Sequence, residues 1–184
     1  MRSDAEQNRE TLLSVARTLF EEQGASVSLR AIASKAGVGI ATLYRHFPTR
    51  GDLLLALGLE MSAEALAAMD RALEYWDADP EAAWRGFVME VARTQVSAQL
   101  VSIAEADQVF AASERVAAVR AERLARFDPI ITRAREAGLI GDIGAMRLVA
   151  GIAASTRPLP SFIEEQIPDF HDWLIDAYLR GIRP

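Results

Sequence analysis

Cysteine is absent from this 184-residue chain, which excludes disulfides and thiol chemistry. Histidine occurs only as His46 and His171, far apart in the sequence. No zinc-ligand spacing, phosphate-cradling glycine loop or nucleophile elbow accompanies them. The one glycine-rich stretch, Gly138 to Gly144, follows no strand and reads as an interhelix turn. An enzyme therefore has little basis, and neither cofactor nor metal is expected. No apolar run approaches the roughly 20 residues a membrane helix needs. The first six residues are polar and charged, without a signal-peptide apolar core. The expectation is a cytoplasmic protein with no membrane partner. Alternating strand patterns and internal repeats are also missing. What is present is 51% hydrophobic and 25% charged residues, a globular composition long enough for one or two domains with a sizeable core.

The apolar spacing is helical throughout, giving an all-α expectation. Ser3 with Glu6 forms a capping-box pattern opening a first helix to about Gln23, with Leu12, Ala16, Leu19 and Phe20 inward. Thr49 with Asp52 forms a second, opening a long helix through Leu53, Leu57, Met61, Ala65 and Met69 toward Trp76. Asp79-Pro80 is an N-cap followed by a first-turn proline, starting a helix to about Gln99. A break near Ser97 to Leu100 and a short helix to about Ala111 follow. Ser113 caps a charged helix from Glu114 to Ala137, closed by Gly138 and kinked at Asp128-Pro129. A helix from about Ala145 to Ser155, an irregular Arg157-Pro158-Leu159-Pro160-Ser161 and a last helix after Pro168 complete the chain.

Residues 27–47 carry the most information. Ser28 can cap a helix whose inward positions are Leu29, Ile32, Ala33 and Ala36. Gly37 stands where a helix end favours a left-handed residue, Val38 plugs the turn, and Gly39 is an acceptable N-cap for the next helix. Leu43 and Phe47 face inward four apart. Ala41, Thr42, Tyr44, Arg45 and His46 are left for other faces, too polar a set to serve a core. This is the pattern of a helix-turn-helix whose second helix suits the major groove. Charge follows the same division. The net charge is −6, yet residues 1–50 hold seven Lys or Arg against five acids, net +2, while residues 51–184 hold thirteen against twenty-one, net −8.

Residues 9–54 resemble the N-terminal domain of the TetR family of bacterial transcriptional regulators. The matching pieces are Leu12, Ala16, Leu19-Phe20 and Gly24, then Leu29-Arg30-Ala31-Ile32-Ala33, Ala36-Gly37-Val38, Thr42-Leu43-Tyr44-Arg45-His46-Phe47, and Arg50 with Leu53-Leu54. Gly39 departs from the Ser or Thr common there. Ile40 departs from a polar or basic residue, and either meets a thymine methyl or packs. The resemblance implies a three-helix DNA-binding domain at 1–50 and a helical ligand-binding and dimerisation domain at 51–184. It also implies a homodimeric repressor with a palindromic double-stranded operator and a small-molecule inducer. Candidate DNA contacts are Ser28, Arg30, Lys35, Gly39, Ile40, Ala41, Thr42, Tyr44, Arg45, His46 and Arg50.

The larger domain offers candidates of two kinds. Trp84, Phe87, Val88, Val91, Leu100, Ile103, Phe110, Phe127, Ile131 and Phe162 are possible pocket walls that any helical core would also use. Glu90, Gln95, Gln99 and Glu105 lie near apolar positions, where a buried carboxylate is costly unless paired. Glu90 or Glu105 would mark a cationic ligand, or else pair with Arg85, Arg93 or Arg133; Arg157 would meet an anionic one. Leu148, Val149, Ile152 and Ala153, with Trp173, Leu174, Ala177 and Tyr178, form two apolar faces that either pair across a dimer or pack within the chain. A helical enzyme and a protein-binding adaptor are the rival readings. DNA retention lost steeply as salt rises would separate the regulator from both.

Overall fold

The structure, a computed structural model, describes residues 4–23, 27–93 and 112–184. Among these the chain forms ten helices and no strand: α1 (Asp4–Gln23), α2 (Leu29–Lys35), α3 (Ile40–His46), α4 (Arg50–Tyr75), α5 (Pro80–Arg93), α6 (Glu114–Ala125), α7 (Asp128–Glu136), α8 (Ala145–Ser155), α9 (Ser161–Glu164) and α10 (Phe170–Gly181). No described helix is long and apolar enough to cross a membrane. Two compact units are present, and both α4 and α6 belong partly to each, the division falling after Met61 and after Val116. The capping role of Ser3, the expected break at Ser97 to Leu100, and the expected helix to Ala111 lie outside the described residues.

In the first unit, α1 buries Leu12, Leu13, Ala16 and Leu19, α2 buries Ile32 and Ala33, and α4 buries Leu53, Leu54, Leu57 and Met61. Leu29 and Ala36, expected inward, are half-buried. Phe20 also departs from expectation: it is half-buried, and the Arg50 guanidinium lies 5.7 Å from its ring centroid. Leu13, outside the expected inward set, is buried.

α4 starts where the capping box placed it. The Thr49 amide and hydroxyl both donate to Asp52 Oδ2, at 3.1 and 2.7 Å, and the Asp52 amide donates back to Thr49 Oγ1 at 3.1 Å. Arg115 on α6 adds a bond of 3.1 Å to Asp52 Oδ1. The Thr49 hydrogen bonds, helped by Arg115, hold the Asp52 carboxyl below its ordinary value of 3.8.

The second unit is built around α5, which contacts α7, α8 and α10. Asp79 accepts the Ala82 amide at 2.9 Å and Pro80 opens the helix, as the sequence implied. The expected extension of α5 beyond residue 93 lies outside the described residues. Ion pairs set α5 antiparallel to α10: Glu81 with Arg183, Arg85 with Asp176 through bonds of 2.8 and 3.0 Å, and Arg93 with Asp172 at 3.6 Å. The mutual hydrogen bonds lower Asp176 and raise Arg85 from their ordinary values.

The charged helix expected from Glu114 to Ala137 is two helices, not one kinked helix. Its chain turns at Arg126 and Phe127, and Asp128-Pro129 opens α7. Proline has no amide to donate and a fixed φ, so it suits a first turn better than an interior. Gly138, at φ +68°, then ends α7 with the Gly138 and Leu139 amides bonded to Arg135 and Ala134 carbonyls, at 3.0 and 2.8 Å. α9 is a single turn within the proline-rich connection, seated just after Pro160. α8 and α10 cross closely at Gly151, where a Cβ would fall within the Tyr178 ring. The Tyr178 hydroxyl donates to the Arg147 carbonyl at 3.1 Å, and burial raises its pKa.

Two expected outcomes follow from these contacts. Gly151→Ala destabilises the fold by about 1–3 kcal/mol through overpacking, despite the ~1 kcal/mol that alanine gains over glycine in helix propensity. Thermal melts of Gly151→Ala, Tyr178→Ala and the double variant should show a strong coupling; additive losses would contradict the close approach. Asp52→Ala costs about 1 kcal/mol at neutral pH by removing a cap. Because the folded-state pKa of Asp52 is depressed, its contribution is present above about pH 4 and is lost as pH falls through the folded value. The stability gap between the variant and the parent, read by urea titration across pH, should close on acidification.

Candidate nucleic-acid interface

The turn between α2 and α3 is fixed locally. The Ser28 hydroxyl accepts the Ala31 amide at 3.1 Å and caps α2. Gly37 adopts φ +70°, and the Gly37 and Val38 amides bond to the Ser34 and Ala33 carbonyls at 3.1 and 3.0 Å. That paired arrangement satisfies the helix end and requires a left-handed residue at Gly37. Gly39 caps α3 in an extended conformation without a side-chain bond.

α3 is anchored by Leu43 and by Phe47 just past its end, both fully buried. The Arg9 guanidinium lies 5.4 Å from the Phe47 ring centroid, a contact that nothing in the local pattern announces. Anchoring on Leu43 and Phe47 turns Ile40, Ala41, Tyr44 and Arg45 outward, with Tyr44 49% exposed. Thr42 and His46 are half-buried on the flanks of that face. Arg30, Ser28 and Gly39 are exposed as well. The face therefore combines a cation, a phenol and two small or branched apolar groups, the chemistry needed for phosphates, base edges and thymine methyls.

Two sequence candidates have other work. Lys35 is exposed, but its ammonium is 3.1 Å from Glu22 Oε2, so part of its charge is already answered. Arg50 is half-buried and donates to the Val27 carbonyl while stacking on Phe20, so it ties the start of α4 to the α1–α2 connection. Both side chains were legible as cations; their partners, remote in sequence, were not.

In the second unit, Trp84, Phe87, Val88, Val91, Phe127 and Ile131 are all buried in one cluster. Phe87 joins its aromatic part, 5.8 Å from Trp84 and 6.1 Å from Phe127 between ring centroids. Phe162 does not belong to it: the side chain is 63% exposed on the one-turn α9. Glu90 pairs with Arg71, a partner outside those expected. Arg157 is exposed. Leu100, Ile103, Glu105, Phe110, Gln95 and Gln99 lie outside the described residues. Among the dimer candidates, Leu148, Ile152 and Ala153 are buried within their own chain, Val149, Leu174, Ala177 and Tyr178 are half-buried, and Trp173 is 57% exposed. Among the described residues no acid and histidine cluster could hold a metal ion.

Residues 12–57 match the model of bacterial regulatory proteins of the tetR family. An HTH-type transcriptional regulator of Staphylococcus aureus strain USA300 is 44% identical over 54 residues, which cover 29% of this chain and 29% of the relative. The solved TetR transcriptional regulator SCO0520 of Streptomyces coelicolor is 27% identical, with a TM-score of 0.60 over 96% of this chain and 98% of its own. The TetR-like regulator LfrR of Mycobacterium smegmatis, solved in complex with proflavine, is 22% identical, with a TM-score of 0.64 over 97% of this chain and 99% of its own. Residues 12–57 thus match the helix-turn-helix of the tetR family of bacterial regulatory proteins, and the helical fold along the chain is similar to that of solved TetR regulators.

Proposed function

We propose that this chain is a homodimeric transcriptional repressor that reads a palindromic operator through α3 and is released by a small molecule held in its second unit. The carrying observation is the outward face of α3, where Ile40, Ala41, Tyr44 and Arg45 stand free of the core while Leu43 and Phe47 hold the helix from behind. Tyr44 and Thr42 are the base-edge or phosphate contacts in this reading, Arg45 and Arg30 the phosphate cations, and His46 a flanking phosphate contact. Lys35 and Arg50 support the domain rather than carry binding.

The dimer reading rests on exposed apolar side chains of the last three helices and their connections. Met146 of α8, Phe162 of α9, Ile167 after it and Trp173 of α10 are all exposed. Self-association through them would form a two-fold interface, with Val149, Leu174 and Ala177 at its edge. Ligand control would run through α4 and α6, the two helices shared by both units and joined in the first by Arg115 and Asp52. A ligand acts only if it prefers the state that cannot match the operator.

The test is fluorescence anisotropy on operator DNA selected from a random pool. Tyr44→Ala should bind about 10–100-fold more weakly, the worth of a good base contact. Its melting temperature should stay that of the parent, since Tyr44 is exposed. Arg45→Ala should flatten the dependence of log affinity on log salt by about one. Trp173→Glu should convert a dimer to a folded monomer in light-scattering chromatography. A monomeric parent would refute the dimer, and DNA binding indifferent to Tyr44 would refute the reading face.

A further inference from the structure

The indole Nε1–H of Trp84 is buried and has no hydrogen-bond acceptor, the sole described side-chain polar atom in that condition. Trp84 is 3% exposed and lies within the main core of the second unit. A buried donor left unpaired carries the full cost of desolvation, and native interiors seldom keep one without a use. The Trp84 ring packs on Phe87, which in turn packs on Phe127, with Val88 and Ile131 in the same core. All are apolar, and the polar groups of α5 nearby are turned to other work: Arg85 to Asp176 and Glu90 to Arg71.

The aromatic part of the cluster ends at a turn. Phe127 is at the turn between α6 and α7, immediately before the first residue of α7. α6 buries no side chain fully, so what holds the α6–α7 elbow is the burial of Phe127 and, on α7, of Ile130 and Ile131. Trp84, by contrast, is fixed on α5, held by contacts with α7, α8 and α10. A fixed donor without an acceptor, in a wall of aromatic and aliphatic side chains, is an arrangement that a ligand's acceptor can complete.

The geometry points to Trp84 as the polar anchor of a ligand site for an uncharged, largely apolar and planar molecule carrying one hydrogen-bond acceptor, such as a ketone, lactone or ester. The acceptor takes the Nε1–H, and the planar body replaces or stacks on Phe127 against Phe87. A cation finds no carboxylate on this face of α5, since Glu90 is committed to Arg71. A carboxylate would bring a buried charge to a neutral donor, a cost of several kcal/mol. The site deepens the ligand-responsive reading above, and its regulatory meaning rests on that reading.

The experiment uses the full-length protein without DNA and follows the three tryptophan indole signals in proton–nitrogen correlation spectra, with Trp84 assigned by Trp84→Phe. The probes are a methyl naphthyl ketone, the ethylnaphthalene of matching shape, and the cationic naphthylmethylamine. The ketone should bind and move the Trp84 indole proton downfield. The hydrocarbon should bind about tenfold more weakly, the factor one net hydrogen bond of ~1.4 kcal/mol supplies, and the amine more weakly still. Equal binding of ketone and hydrocarbon, an unmoved Trp84 indole signal, preference for the amine, or no binding of the ketone would each overturn the proposal. The comparison of probes on the unaltered protein does not depend on how Trp84→Phe folds. Operator release is measured separately: ketone binding with the indole shift but without release would leave the site and remove ligand control. Release by the ketone without the indole shift would leave ligand control and remove the site.

Discussion

Burial of Leu43 and Phe47 is the interaction on which the rest of the reading head depends. A seven-residue helix is far below the length at which a helix persists alone in water, so α3 exists because these side chains are held by α1 and α2. The spacing of four then decides every other direction: once two positions point in, Ile40, Ala41, Tyr44 and Arg45 must point out. The Gly37 turn sets where that anchored helix begins, and Arg50 on the Val27 carbonyl closes the domain from the α4 side. The surface chemistry of α3 is thus a by-product of a packing constraint.

The second unit uses its charges differently. Three of its acids help set register: Asp172 and Asp176 of α10 meet arginines of α5, and Glu81 of α5 meets Arg183 just past the end of α10. Exposed pairs of this kind contribute about 0–1 kcal/mol each, so their value is orientation more than stability, and the apolar cluster around α5 supplies the cohesion. That division of labour leaves the interior short of polar groups. It is why the unpartnered Trp84 donor stands out, while Glu90, beside an apolar face in the sequence, pairs with Arg71.

What could be read from the residues alone was whatever is settled within about one helical turn. Ser28, Asp79 and the Thr49–Asp52 pair cap the helices they were expected to cap, and Gly37 and Gly138 hold the left-handed ends. The proline at residue 129 was recognised as a disruption, but whether it bends one helix or starts another depends on where the neighbouring chain turns. Phe20 and Phe162 both carried the signature of interior residues. One became a platform for Arg50 and the other stayed on the surface, because burial depends on partners that arrive from distant segments.

By itself, the sequence determined an all-helical chain, the caps and turns of its helices, and a helix-turn-helix with a polar second helix. Each of these is governed by backbone hydrogen bonds and spacings of three or four residues. The tertiary structure alone decided which cations remain outward, with Arg45 and Arg30 exposed while Lys35 and Arg50 are engaged. It also decided which apolar side chains stay in solvent and which buried donor lacks a partner. Those outcomes turn on contacts between residues far apart in the chain, as between Arg50 and Val27 or Phe87 and Phe127, and on groups that no local pattern brings together.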